Sequence, residues 1–198
     1  MRVFIILSAA IFSLVASSAS AGFYVEPFVG YIKGEIDSQT KAALGGTSAK
    51  MENTGLAYGA GLGWIFPNKV RVGADVELSN QEIKNTTTSV TSKVNVTSAY
   101  VIVGYEFEKE IIAYLGGGQS SSVDDQTPKT TSTGTTLKAG AYKELVNHVA
   151  FGAEAMLHTW VESTTEGSAS VKIADVYEKY NSTSLHLFFR FPFEIGGK

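Results

Sequence analysis

Cysteine is absent from this 198-residue sequence, and so is any excess of positive charge. Without cysteine, the chain can form neither a disulfide framework nor a thiolate metal site. Its 16 lysines and arginines stand against 19 acidic residues, which leaves no basic patch of the kind that binds a nucleic-acid backbone. We therefore expect no nucleic acid partner, no metal and no cofactor, and a fold that is stabilised by packing and hydrogen bonds.

Long apolar runs are scarce as well, and the clearest one lies at the start of the chain. It covers residues 3–15, follows Arg2 and precedes small residues at 19–21, after which a signal peptidase would cut. A membrane-spanning helix needs about 20 predominantly apolar residues, more than this run offers. We predict a signal peptide over residues 1–21 and a single domain over 22–198, whose 15 basic and 19 acidic residues give a net charge of −4.

Helical periodicity is rare, whereas alternation with a period of two runs through the mature sequence. In "VRVGADVELS", Val72, Ala74 and Val76 alternate with Gly73 and Asp75, the pattern of a strand with two different faces. The segment "SVKIADVYEKY" fits a helix and a loop equally well. We predict an all-β chain with eight strands, at 22–34, 55–66, 70–79, 98–107, 111–119, 136–145, 149–160 and 185–195.

The connections between these strands alternate in length. Short links ("PNK", "EKE" and "VNH") alternate with long polar segments. An even number of antiparallel strands with tight turns at one rim and long loops at the other is typical of an outer-membrane barrel. We predict an eight-stranded antiparallel up-and-down transmembrane barrel in the outer membrane of a Gram-negative bacterium, with periplasmic termini. The predicted extracellular loops are 35–53, 81–98, 120–134 and 162–184.

The two faces of the strands differ in a way that indicates which one meets lipid. One face is apolar, while the other mixes charges with repeated glycine, as a narrow lumen filled by side chains requires. Two assignments stay open. The fifth strand has too much glycine to show which of its faces points outward. In the segment before the fourth strand, Val94 and Val96 fall on the opposite face from the apolar residues of that strand. Either a bulge shifts the register there, or that part stands clear of the membrane.

Charged residues on the glycine-rich face recur at similar heights along their strands. Because the first and last strands are neighbours in a closed barrel, Glu26 and Arg190 are candidates for an ion pair inside the lumen. Unpaired charge in a dry lumen is costly, so we interpret these residues as a structural network that plugs the barrel, with a small pore or gated path as the alternative. The predicted network consists of Glu26, Arg71, Asp75, Glu77, Glu154 and Arg190.

The opening "GFYVEPFVGY" and the closing "LHLFFRFPFEI", together with the signal peptide and the eight strands, resemble the small outer-membrane barrels related to the OmpA transmembrane domain, OmpX and the opacity proteins. The resemblance implies roles in envelope integrity, surface contact or adhesion through the loops. It also implies a monomer surrounded by lipid and lipopolysaccharide. In this family, alternating aromatics in the last strand are a signal for the barrel-assembly machinery. Here the matching residues are Leu187, Phe189, Phe191, Phe193 and Ile195, with Ile195 and "GGK" in place of a terminal aromatic residue.

Two other functions remain as alternatives. Ser184 and His186 lie on one face of the last strand, but the sequence indicates no third, orienting acid, so we predict that the protein is not an esterase or any other enzyme. A narrow channel for small or hydrophobic solutes, like that of the OmpW family, is the second alternative. The long loops are expected to contact a surface or a ligand on a host or prey cell.

Overall fold

The computed structural model describes residues 22–107, 111–146 and 148–195. The predicted signal peptide, the "EKE" turn, Asn147 of the "VNH" turn and the "GGK" tail lie outside these residues. The strands are β1 (Gly22–Thr40), β2 (Ser48–Ile65), β3 (Val70–Asn85), β4 (Thr91–Glu106), β5 (Ile111–Asp124), β6 (Thr130–Val146), β7 (Val149–Thr165), β8 (Val171–Lys172), β9 (Tyr177–Arg190) and β10 (Phe193–Ile195). In the described part of the chain, no helix is both long and apolar enough to cross a membrane.

The strands form one antiparallel sheet that closes on itself. Neighbours in sequence pair from β1 through to β7, and β9 pairs with both β7 and β1, which completes the ring. β10 continues β9 in the same register against β1, and the two-residue β8 lies beside the end of β7. The wall of the barrel therefore has eight strands, the last one made of β9 and β10, and the predicted fold class is confirmed.

A short break separates β9 from β10 at Phe191 and Pro192. Proline has no backbone N–H to donate to a neighbouring strand, which explains why the ladder stops there. The backbone N–H of Phe191 still donates to the carbonyl of Pro27 at 2.9 Å. The carbonyl of Pro192 lies 2.9 Å from Nδ1 of His148, so the seam stays connected on both sides.

The two faces of the wall are those that alternation predicts. Large apolar side chains point outward along every long strand, while polar, aromatic and some aliphatic side chains fill the lumen. On β5, Ile112 and Tyr114 point inward and Leu115 points outward. This gives the orientation of the fifth strand, which its many glycines had left open. The register between β3 and β4 runs without a shift from Val70 to Lys84. There is no bulge, so Val96 lies inside the barrel, where it is buried.

The polar segments expected to be long loops are mostly strand. Threonine and valine favour extended backbone, and pairing between neighbouring strands satisfies the backbone groups of these segments even where both faces are polar. The barrel wall therefore continues beyond its apolar band. Only four connections remain at this end, at 41–47, 86–90, 125–129 and 166–176, and the last holds β8 and a helical turn at Ile173–Val176. The helical candidate at 170–180 is thus divided between two strands and this turn.

Candidate functional site

Arg190 lies at the centre of the lumen and bridges two acidic residues. Its Nη1 lies 3.2 Å from Oε2 of Glu26, and its Nη2 lies 2.7 Å from Oδ2 of Asp75. Only 3% of Arg190 is exposed. The structure therefore places Glu26 and Arg190 in the contact that the closure of β9 onto β1 suggested.

Arg71 extends this network toward the end of the barrel with the short turns. Its Nη1 donates to Oε1 of Glu26 at 2.8 Å, and its Nη2 donates to Glu106 at 3.0 Å and Glu194 at 3.2 Å. The hydroxyl of Tyr142 donates to both carboxylate oxygens of Glu26, at 2.8 and 2.9 Å. Glu106 and Glu194 are not fully buried, so the network reaches from the centre of the lumen to its rim.

Lys138 joins the network from the opposite wall, on β6. Its ammonium lies 3.0 Å from Oδ2 of Asp75 and 3.5 Å from Oε2 of Glu154, and it also lies 4.2 Å from the centre of the Tyr100 ring. Its place in the network was not predicted from the sequence. A signal was available, because Lys138 has the same inward parity as Gly140 on its strand.

Glu77, Glu154 and His186 form a second cluster next to Lys138. Nδ1 of His186 lies 3.3 Å from Oε1 of Glu154 and 3.9 Å from Oε2 of Glu77. The hydroxyl of Tyr114 donates to the other oxygen of Glu154. All six residues of the predicted polar network are therefore in the lumen, in one connected layer of charge, with His186 and Lys138 added to them.

Aromatic rings and glycines fit around these charges. The guanidinium of Arg190 lies 4.9 Å from the centre of the Phe28 ring and 5.2 Å from that of Phe188. A Cβ atom at Gly61 would contact Asp75 and would lie 3.3 Å from Nη1 of Arg190. The missing side chain therefore leaves the space that the ion pair occupies.

A chain of hydroxyl groups crosses the lumen beside the charged layer. Ser98 and Ser120 are 2.7 Å apart at their hydroxyl oxygens, Ser120 and Thr136 are 2.6 Å apart, and Thr136 lies 2.6 Å from Nδ1 of His158. All four side chains are buried. This chain was not predicted from the sequence, because Ser120, which links its two ends, was assigned to a loop.

A cavity of about 470 Å³ lies at the end with the longer connections. It is lined by both apolar and polar side chains, and the ring of Trp160 stacks on that of His158 with centres 5.7 Å apart. Val94 and Val96 belong to this lining, which explains why their parity differs from that of the lipid-facing valines. Other lining residues are Ile36, Ile83, Asp124, Ser132, Tyr177 and Tyr180.

Ser184, His186 and Glu154 are arranged in the order of a nucleophile, a base and an acid. The hydroxyl of Ser184 lies 3.5 Å from Nε2 of His186, whose Nδ1 faces Glu154. The structure thus supplies the orienting acid that the sequence did not indicate. All three side chains point into the lumen and are more than nine-tenths buried.

The residues predicted as an assembly signal lie on the outside of the barrel. Leu187, Phe189, Phe193 and Ile195 have exposed fractions of 45–62%, and Phe191 is half-buried in the break between β9 and β10. Phe189 packs against Phe151 of β7 with ring centres 5.3 Å apart. The strand therefore presents a nearly continuous apolar outer face.

This closed ring, with an apolar outer wall and a charged lumen, is the form of an outer-membrane barrel. Residues 4–191 match the sequence profile of the outer membrane protein beta-barrel domain. The chain belongs to this family. The predicted location in the outer membrane is thereby confirmed. Among curated proteins, no sequence matches the chain significantly.

Solved structures of other outer-membrane proteins share the fold at low sequence identity. Neisserial surface protein A superposes with a TM-score of 0.54 at 19% identity, and Ail, the attachment invasion locus protein of Yersinia pestis, with 0.54 at 11%. Each comparison covers 87% of this chain and 99% of the other. OprG of Pseudomonas aeruginosa has a TM-score of 0.50 at 14% identity, over 89% of this chain and 98% of its own. At such identities the likeness shows the fold alone.

Proposed function

We propose that this member of the outer membrane β-barrel family is a plugged, non-enzymatic barrel that supports the envelope and makes contacts at the cell surface. The observation that carries the proposal is the layer of charge that crosses the lumen. Arg190 joins Glu26 to Asp75, and Arg71 and Lys138 extend these contacts to both sides.

The layer leaves little room for a passing solute. The cavity bordered by Arg190, Glu26 and Arg71 has a volume of about 10 Å³, roughly the space of one water molecule. Opening a path would require separating buried ion pairs, and leaving one partner alone in a dry site is costly. The charged layer therefore acts as a structural plug.

The apolar outer band and the polar extensions support an orientation in the membrane. Strands that continue above the apolar band, together with longer connections at that end, match the extracellular side of such barrels. The short turns and both ends of the barrel domain then lie on the periplasmic side. The surrounding lipid, including lipopolysaccharide on the outer leaflet, contacts the exposed apolar side chains.

The proposed surface contacts have a mixed electrostatic character. In the segments predicted as loops, and at Lys33, there are eight lysines and ten acidic residues. The Ail structure contains a heparin analogue, sucrose octasulfate. A polyanion of that kind is a poor match for the mixed and slightly acidic surface of this chain, so we propose a partner that is itself of mixed charge.

Conductance in planar lipid bilayers tests the plug. Purified protein, shown to be folded by its heat-modifiable migration in SDS gels, is expected to give no discrete current steps. The physical reason is that the ion pairs of Arg190 leave no continuous water path. Discrete openings of the wild-type protein would contradict the plug and favour the second candidate, a narrow channel that uses the 470 Å³ cavity as its entrance.

An esterase remains the weaker alternative despite the order of Ser184, His186 and Glu154. Glu154 also holds Lys138 and Tyr114, and the serine is buried on the lumen side, away from lipid substrates in the membrane. A nucleophile needs access to its substrate as well as a base. The geometry therefore favours a structural role for these residues.

We further propose that the last barrel strand is recognised by the barrel-assembly machinery. Replacing Phe193 by alanine is expected to lower the fraction of folded barrel in cell membranes and to leave refolding into detergent unchanged. Heat-modifiable migration measures both fractions. Phe151→Ala is the matched control, because Phe151 is an outward aromatic residue on the neighbouring strand. Equal losses for the two variants in cells would contradict a special role for the last strand.

A further inference from the structure

Glu77, Glu154 and His186 each direct one possible ligand atom to the same place in the lumen. The three atoms lie within 4.8 Å of one another, and each residue is only 3% exposed. They come from β3, β7 and β9, far apart in sequence. We propose that these residues form a binding site for a divalent transition-metal ion of the zinc type.

The distances within the cluster suit such an ion. Ligand atoms bound to a tetrahedral ion at about 2.1 Å lie about 3.4 Å from each other. Here the imidazole Nδ1 of His186 is 3.3 Å from Glu154 Oε1 and 3.9 Å from Glu77 Oε2. One imidazole and two carboxylates are ligands that zinc accepts, with a water in the fourth position. Calcium prefers six or more oxygen ligands, which this cluster does not provide.

Glu77 supplies an independent sign that the cluster binds a cation. Its Oε2, the oxygen that points toward His186, has no hydrogen-bond partner among the described residues, although the side chain is almost completely buried. A buried carboxylate oxygen without a partner is costly and rare in native proteins. A metal ion at this place would satisfy it.

The balance of charge points in the same direction. Among the fully buried groups of the lumen, four carboxylates (Glu26, Asp75, Glu77 and Glu154) face three cations (Arg71, Lys138 and Arg190). At the cluster itself, Lys138 contacts only the Oε2 side of Glu154, at 3.5 Å. Among the described residues, Glu77 has no lysine or arginine within ion-pair distance, and its contact with His186 is 3.9 Å long, so a bound cation would compensate its charge.

The neighbours of the cluster form hydrogen bonds with its side chains, as residues next to the ligands of a metal site commonly do. The hydroxyl of Ser184 lies 3.5 Å from Nε2 of His186, so the ring can donate to it and keep Nδ1 toward the carboxylates. The hydroxyl of Tyr114 donates to Oε2 of Glu154 and leaves Oε1 facing His186. Such contacts fix the orientation of metal ligands. Ser184 and Tyr114 are thus positioning residues.

Zinc binding to the folded barrel tests this site. The protein is refolded from urea into detergent with Zn²⁺, and separately is refolded first and then given Zn²⁺, so that a plugged lumen cannot prevent loading. After removal of free metal, we expect one zinc ion per folded chain. Glu77→Gln and His186→Asn are each expected to weaken binding at least about tenfold, and zinc is expected to raise the melting temperature of the wild-type barrel alone.

The control variant is His148→Asn, which removes an exposed histidine in a turn near the rim. It is expected to bind zinc as tightly as the wild-type chain does. Heat-modifiable migration verifies that each variant is folded, and Glu77→Gln keeps the volume of the side chain. The proposal is overturned if the wild-type barrel retains no zinc by either route, or if Glu77→Gln and His186→Asn bind zinc as tightly as the wild-type chain does.

Discussion

Replacing Arg190 by alanine is expected to lower the free energy of unfolding of the barrel by about 3–5 kcal/mol, the cost of removing one partner from a buried ion pair. Glu26 and Asp75 would each lose a charged contact in the dry centre of the lumen. Urea unfolding in detergent, followed by the fluorescence of Trp64 and Trp160, measures the change. The temperature at which the folded band disappears in SDS gels provides a second measurement.

Two further variants make this result specific to the plug. Lys179→Ala removes an exposed pair with Asp37, where the two charges are 3.0 Å apart, and is expected to leave the free energy of unfolding nearly unchanged, because water screens such a pair. The double variant Arg190→Met with Asp75→Asn removes opposite charges together and should recover part of the lost stability. If Arg190→Ala lowered the free energy of unfolding as little as Lys179→Ala does, the charged network would not be what stabilises the barrel.

An arginine placed on the outer face of β4 at Val101 is expected to destabilise the folded barrel by about 2–4 kcal/mol, because that face lies in hydrocarbon. Val101 is surrounded by apolar or glycine positions on both neighbouring strands, Ala74 on β3 and Gly117 on β5. The measurement is urea unfolding of the barrel reconstituted in lipid vesicles, compared with the wild-type chain.

Asn95→Arg is the matched control for this second experiment. Asn95 lies on the same strand and has the same outward parity, but it belongs to the polar extension about 20 Å along the strand from Val101. Outside the hydrocarbon the added charge should cost about 0–1 kcal/mol. Equal effects at the two positions would mean that the apolar band does not meet lipid.

The strands of this barrel could be predicted because the side of the sheet to which each side chain points is a local property of the sequence. Successive side chains point to opposite faces, so "VRVGADVELS" alone places Asp75 and Glu77 on one side and Val72 and Val76 on the other. The prediction of loops was wrong where it rested on polar composition alone. Residues 120–124 and 130–134 were predicted as loop because they are polar, yet they pair as strand, since pairing with neighbouring strands satisfies the backbone groups of a polar segment as well.

Contacts within the lumen were predictable only where chain order implies them. Glu26 and Arg190 could be paired because the first and last strands must adjoin in a closed barrel. The same reasoning could not bring Lys138 to Asp75, or His186 to Glu77, because these residues meet across the lumen from strands that are not neighbours. Such contacts depend on the tilt and stagger of the whole ring, which no short pattern records.

The sequence by itself therefore determined the class of the fold, the lipid-facing side of most strands and the set of charges inside the lumen, because alternation is written residue by residue. Only the tertiary structure decided which of those charges meet, how far the strands continue beyond the apolar band, and that Glu77, Glu154 and His186 converge. The physical reason is closure: the register around the ring fixes the height of every inward side chain at once, and distances across the lumen follow from that register alone.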